Sequence, residues 1–376
     1  MTKLSDRPRV DIVGSFLAPE ELEQAREQLK RGEITTEECR RIEDDAIDRL
    51  IDREIASHLQ IVTDGEMRRK KWDRDFWEGL GGVEPRRIDT GRIYQDEPSR
   101  STLLSFSGRL TFNPEHPFFE KLTHMIELTA GRAEVRQTIP SPGELLMRII
   151  TISGGDIAKL YPSPETLNDD IIEAYRATIA ELYRLGCRHI QLDSSIWGRL
   201  CDDDYQRTLL LGGLDPDQIT DTLVNILNAS IADRPADLEV TLSIAADETR
   251  IPRWDNENER RHLTRMFTEI NADAFLLPFD LDTPSQLEAL ASFPAERRVI
   301  LGLVDGSING LENPEDIAEY VRAASRYVSP DRISISPTCG FKVNDHERQG
   351  LNYETQWSKI DLLNRAADLV SPTTEE

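Results

Sequence analysis

Cysteine is scarce in this chain. Cys39, Cys187, Cys201 and Cys339 are scattered over 376 positions and form no C-x-x-C pair. That excludes a disulfide framework and points to a reducing compartment, the cytoplasm. Positive charge is also in short supply, and the formal net charge is −24. Phosphate backbones need a basic face, so nucleic acid is excluded as a partner. Lysine is rarer still, eight against 37 arginines. This bias fits a salt-adapted or GC-rich source and says nothing about catalysis. No apolar run reaches the ~18–20 residues of a membrane helix. The N-terminus has no signal-peptide core, so no membrane partner is expected. A Gly-rich turn after the first apolar run is missing too, which argues against a doubly wound open sheet with a dinucleotide fingerprint.

What the chain does have is rhythm. Eight short apolar runs occupy 10–16, 61–67, 135–139, 189–193, 238–244, 274–279, 299–304 and 333–336. Each is short, rich in β-branched residues or Leu, and apolar on both faces, as parallel strands covered on both sides are. Segments of helical period lie between them at 20–30, 36–59, 166–185, 216–232, 257–270, 314–327 and 353–369. In the second, Ile42, Ile47, Leu50, Ile51 and Ile55 fall on one stripe. Ser163-Pro164-Glu165 and Asn313-Pro314 read as helix starts. Alternation of this length predicts an α/β fold, a (β/α)8 TIM barrel in a single domain over 1–370. Two stretches break the rhythm. An excursion over 68–121 is expected to cover the barrel mouth, and a shorter loop spans 151–164. The tail, 371–376, is expected to fray.

A barrel of this kind carries its chemistry where strands end. Those ends read Gly14-Ser15-Phe16, Thr63-Asp64-Gly65-Glu66, Pro140-Ser141-Pro142-Gly143, Asp193-Ser194-Ser195, Ser243-Ile244-Ala245, Pro278-Phe279-Asp280, Asp305-Gly306-Ser307 and Pro337-Thr338-Cys339-Gly340. Carboxylates and a thiol dominate the set, and a barrel makes them converge.

The longer motifs around these ends carry a resemblance. Val13-Gly14-Ser15-Phe16, Thr63-Asp64-Gly65-Glu66-Met67-Arg68-Arg69, Ile139-Pro140-Ser141-Pro142, Gly186-Cys187-Arg188-His189-Ile190-Gln191-Leu192-Asp193, Ser336-Pro337-Thr338-Cys339-Gly340-Phe341 and Gln356-Trp357-Ser358-Lys359 occur in this order. Together they resemble the C-terminal catalytic domain of cobalamin-independent methionine synthase, in its stand-alone single-domain form. The resemblance implies a transferase of amino-acid metabolism: zinc-dependent methyl transfer from 5-methyltetrahydrofolate to a thiol such as homocysteine. The metal would lower the thiol pKa so that a thiolate attacks. It also implies zinc ligands at four places, held here by Ser243, Ala245, Pro278 and Cys339. Only Cys339 keeps a ligand side chain, and the stretch 238–248 contains no His or Cys. Asp247, Glu248 and Asp280 lie near the vacated positions; His262 and His346 fall in helix or loop positions. A zinc site of the family type is therefore not expected, while a folate donor stays open.

By the same resemblance, Ser15, Glu66 and Asp193 would hold an amino-acid substrate. Two carboxylates suit an ammonium group, and a hydroxyl with backbone amides suits a carboxylate. The plainer alternative is that Asp64 and Asp193 cap helices. Asp305 lies near the expected proton donor, although Asp-Gly is also a common turn pair. Cys339 is either a small residue in a Cys-Gly turn or a free nucleophile. Arg68-Arg69-Lys70-Lys71-Trp72 is the one basic cluster, suited to an anionic substrate tail or to solvent. Trp72, Trp77 and Trp197 are candidates for stacking a flat ring or for core packing.

Three functions follow. The first is an enzyme on this scaffold acting on a small polar, amino-acid-containing or thiol substrate without zinc. Glu66, Asp193, Asp280 and Asp305 would then be acid–base candidates, Cys339 a nucleophile candidate, and Arg68 and Trp197 further substrate contacts. The second is thiol methyl transfer with a rebuilt metal site. The third is a non-catalytic binder.

Overall fold

A computed structural model describes residues 8–89, 100–152, 157, 159–244, 254, 257–342 and 351–370. Eight parallel strands form one sheet. They are β1 (Arg9–Val10), β2 (Ile61–Val62), β5 (Glu134–Pro140), β6 (His189–Ser194), β7 (Glu239–Ile244), β8 (Ala274–Pro278), β9 (Arg298–Val304) and β10 (Ile333–Pro337). β3 (Gly81–Asp89) and β4 (Arg100–Thr111) form a separate antiparallel hairpin. The large sheet runs β1-β10-β9-β8-β7-β6-β5-β2. The two ends of this order are β1 and β2, the first two strands of the chain, and barrel closure brings them together. Across the seam, Phe16 N donates to Gly65 O at 3.0 Å and Thr63 Oγ1 donates to Gly14 O at 3.0 Å. The expected barrel is present, with all eight predicted runs as its strands.

One expectation needs correcting. The strands are not uniformly apolar on both faces. The register places Arg9, Asp11, Arg136, Thr138, His189, Gln191, Asp193, Glu239, Thr241, Ser243, Ser334 and Ser336 on one common face. Alternate residues such as Ile190, Leu192, Val240 and Leu242 join the large apolar layer under the helices. The polar face is the barrel interior, where only a small apolar cluster forms from Ala274, Leu276 and Ile300, with Val13 against it. β5, β6, β7 and β10 thus alternate. Only β8 and β9 read close to continuously apolar. A small barrel interior is reached from both ends, so it tolerates polar groups that can pair with one another.

At the N-terminal end of the strands those groups do pair. Arg136 Nη1 lies 2.7 Å from Asp11 Oδ1, and Arg9 Nη2 lies 2.8 Å from Asp11 Oδ2. Arg298 and His189 both meet Glu239, at 3.0 and 3.4 Å, and His189 also meets Glu134 at 2.6 Å. The arginines hold Asp11 well below the usual carboxylate range against the effect of burial. His189, Arg9 and Arg298 likewise outweigh burial to hold Glu239 at about 2.

Helices wrap the outside: Glu20–Arg31, Thr36–Ala56, Pro164–Arg184, Pro216–Ile231, Glu257–Glu269, Pro314–Ala324 and Tyr353–Val370 match the periodic segments. Their starts follow the sequence signals. Ser163 accepts from Thr166 N, Asn313 accepts from Glu315 N, and Thr35 and Glu38 form a capping box. The excursion contains the short helix Arg74–Trp77 and the hairpin. It is anchored to the wall: Arg109 binds Asp170 with both nitrogens (2.8 and 2.5 Å), and Leu110 N donates to Tyr161 Oη at 2.7 Å. Its tip and the 371–376 tail lie outside the described residues.

Candidate active site

Where β2 ends, the chain turns tightly. Thr63 Oγ1 accepts from Gly65 N and Asp64 Oδ1 accepts from Glu66 N. Gly65 takes φ +60, and a Cβ there would sit 2.5 Å from Leu50. Glu66 is also left-handed, at φ +53. A non-glycine residue in that region carries strain that the surroundings must hold. The turn swings the Glu66 carboxylate inward. Its Oε1 accepts from Arg69 Nη1 at 3.0 Å and from Thr138 Oγ1 at 3.0 Å. Arg69 also bonds Thr138 O at 2.7 Å, so Glu66 is fixed to β5.

Asp193 ends β6 on the same interior face. Gln191 Nε2 donates to its Oδ1 at 2.7 Å. Burial drives the Asp193 carboxyl up, and the Glu66 carboxylate drives it further, to about 7. Asp193 is enclosed by protein yet keeps part of its surface open. It caps no helix among the described residues, and Asp64 serves the β2 turn. Ser243 is in register with Asp193 across β6 and β7. It is fully buried, and its hydroxyl reaches the Asp193 carboxylate and favours its ionised form.

Ser15 follows β1, beside the β2 turn that carries Glu66. Its Oγ accepts from Lys342 N at 3.2 Å, and its carbonyl accepts from Phe341 N at 2.9 Å. A Cβ on Gly340 would stand 2.0 Å from Ser15 Oγ, so glycine is required for this approach. Lys342 Nζ donates to Arg69 O at 2.8 Å. A hydroxyl and a lysine thus lie beside the turn that carries Glu66. The last helix holds the frame: Gln356 Oε1 accepts from Leu17 N at 2.8 Å, Trp357 stacks on Phe16 at 5.2 Å, and Lys359 bonds Glu312 and Gly310 O.

The other predicted residues sit elsewhere. Asp280 accepts from Asp282 N and Thr283 Oγ1, which ties it into its own turn. Asp305 accepts from Ser307 N and Oγ at 2.8 and 2.6 Å, while its own N–H donates to Glu312. It lies close enough to Cys339 that its charge, added to burial, pushes the thiol up to about 11. A thiol so shifted stays protonated at neutral pH and makes a poor nucleophile. Arg68 turns outward to Asp44, so Arg69 is the inward member of that pair. Trp77 donates to Tyr175 Oη, and Trp197 is buried among core residues; Trp72 is part-exposed. His262 is buried against Gln206. Ala245, Asp247, Glu248 and His346 lie outside the described residues.

Thr138, Gln191 and Lys342 were not singled out from the sequence, and Arg69 was read only as part of the basic cluster. Strand alternation would have flagged Thr138 and Gln191, both two residues from an inward neighbour. Glu144 was missed as well. Burial raises its pKa, and it accepts from Ile196 N at 2.7 Å and from Ser194 and Ser195. It caps the short helix Ile196–Leu200 and so fixes the chain just past Asp193.

A family profile described as the catalytic domain of cobalamin-independent synthase matches residues 162–352. The chain belongs to this family. It is 33% identical over 360 residues to the uncharacterized protein YxjG of Bacillus subtilis (strain 168), covering 94% of this chain and 92% of that one. The methionine synthase of Saccharolobus solfataricus is 21% identical over 91% of this chain and 90% of its own length. Among solved structures, one from Listeria monocytogenes, provisionally described as a vitamin-B12 independent methionine synthase, superposes with a TM-score of 0.72. It is 28% identical, over 96% of both chains. A B12-independent methionine synthase from Shewanella sp. W3-18-1, in complex with selenomethionine, gives 0.70 at 17% identity. That second likeness supports the fold. No helix among the described residues is long and apolar enough to cross a membrane.

The zinc positions of the family can be tested against this chain. Pro278 has no donor atom in its side chain, Ser243 offers a neutral hydroxyl, and Ala245 offers nothing. Among the described residues no group of three or more His, Cys, Asp or Glu is placed to hold a metal. The donor set does not fit a tetrahedral zinc site of nitrogen and sulfur ligands.

Proposed function

We propose that this chain is an enzyme of the cobalamin-independent synthase family that binds a small α-amino acid and works without the family's zinc. The observation that carries this reading is the enclosed Glu66–Asp193 carboxylate pair, with Ser15 and Lys342 beside the Glu66 turn. Like charges held together in a poorly solvated site favour a bound cation. A substrate ammonium group supplies it, donating to Glu66 and Asp193. The substrate carboxylate meets Ser15 and Lys342, beside the Glu66 turn. Arg69 holds Glu66 in place through its hydrogen bond. Asp193, at about 7, can take or give a proton at working pH. Cys339, held as a neutral thiol, packs and does not attack.

Binding should strengthen as pH rises through 7, because the ammonium pairs with Asp193 only once it is ionised. Calorimetric titration of the purified protein with L-methionine and L-homocysteine, from pH 5.5 to 8.5, tests this. The expected result is affinity that rises about tenfold over that range and is lost in Asp193→Asn, in protein with less than stoichiometric zinc by elemental analysis. Stoichiometric zinc that disappears in Cys339→Ala would replace this reading with zinc-dependent transfer from 5-methyltetrahydrofolate. No binding of either amino acid at any pH would overturn the substrate class.

A further inference from the structure

The interior polar face contains one residue whose two ends reach different parts of the barrel. Gln191 is fully buried, two residues before Asp193 on β6. Its Oε1 accepts from Arg136 Nη1 at 3.4 Å. Its Nε2 donates to Val13 O on the neighbouring end of the barrel and to Asp193 Oδ1 at 2.7 Å. Arg136 in turn is held by Asp11 at 2.7 Å and by Ile12 O at 3.1 Å. An amide has a donor end and an acceptor end, and flipping it exchanges them. Here a flip would put an NH₂ group against a guanidinium and an oxygen against two oxygens. The Asp11–Arg136 pair therefore decides which way Gln191 points.

We propose that Gln191 is a positioning residue of the candidate site, carrying the fixed orientation of the Asp11–Arg136 ion pair up the barrel to the Asp193 carboxylate. It acts through Asp193 and does not touch substrate. Two consequences follow. One oxygen of Asp193 is tethered, so the other is presented to the cavity in one direction. The donated hydrogen bond also favours the ionised carboxylate, opposing burial and the Glu66 charge. Arg69 opposes them as well, and Glu66 and Arg69 are the charged groups that face Asp193 from the turn after β2.

The geometry stands by itself; only its consequence for ligand binding rests on the amino-acid reading above. The test separates the two. Asp193 is titrated by carboxyl ¹³C chemical shift in ¹³C-Asp-labelled protein and assigned by the signal lost in Asp193→Asn. The wild-type midpoint is expected near 7. Gln191→Leu should raise it by about half a unit or more, since one stabilising hydrogen bond is gone. Gln191→Glu, nearly isosteric and able to pair with Arg136, should raise it further by setting a charge beside Asp193. L-methionine affinity in Gln191→Leu should fall at pH 7 and recover at pH 9, where the carboxylate is ionised again. Packing alone would not produce that recovery. An unchanged midpoint in Gln191→Glu, or a loss in Gln191→Leu that pH 9 does not restore, overturns the proposal. A shifted midpoint with no amino-acid binding in wild type leaves Gln191 standing and removes the substrate reading instead.

Discussion

Asp193 shows how a single residue trades stability for a site. Its carboxyl sits at about 7 in the fold against 3.8 as the ordinary value. The unfolded chain therefore ionises first, and the folded state loses stability as pH rises from ~4 to ~7. Above pH 7 the loss is complete and amounts to about 4 kcal/mol at most, at 1.36 kcal/mol per unit. Asp193→Asn should accordingly unfold at higher denaturant than wild type at pH 8, and the gain should vanish near pH 4. Urea titrations at both values check this. A variant less stable at pH 8 would mean that the carboxylate is already well solvated. Asp193 was legible in the sequence because it ends an apolar run. Alternation along the strand points to Gln191 as well, two places earlier, but its partners Arg136 and Val13 come from other strands and only the closed barrel supplies them.

At the scale of elements, the last helix and the β2 turn do the holding. Gln356-Trp357-Ser358-Lys359 could be read as a motif, but its use could not. Trp357 is stacked on Phe16 on one side and lies under Arg53 on the other, with the guanidinium 4.4 Å from the ring centroid. Trp357→Ala removes both contacts and should cost about 3–5 kcal/mol. The loss should appear in the melting curve, together with weaker amino-acid binding because Phe16 adjoins Ser15. Helix Thr36–Ala56 contributes differently. Its Glu54 is fully buried beneath Thr63, and burial raises its pKa well above the ordinary value. A group raised in the fold favours folding at low pH and opposes it once it must ionise. Glu54→Gln should therefore stabilise the protein more at pH 8.5 than at pH 5.5. Thermal melts at the two values decide the sign.

Across the whole molecule, charge outweighs any single pair. With 69 acidic and 45 basic residues, the surface repels itself. Many arginines answer this locally, for example Arg265 with Asp221 and Glu269, and Arg109 with Asp170. Exposed pairs of this kind contribute little individually. Raising monovalent salt from 0.02 to 1 M should therefore raise the melting temperature, because screening relieves net repulsion more than it weakens those pairs. A fall in melting temperature would show that the ion pairs dominate.

The sequence by itself determined the barrel, the order of its strands, most of its outer helices and the family. These depend on hydrophobic period, cap residues and ordered motifs, all of which are local. The tertiary structure decided what local pattern cannot encode. It split the strands into an apolar outer face and a polar interior, turned Arg69 inward and Arg68 outward, and placed Asp280 in its own turn. It also brought Glu66 against Thr138 and set Asp193 above Gln191 and Arg136. Those outcomes depend on which residues meet across strands distant in the chain, and register settles that only once the barrel has closed.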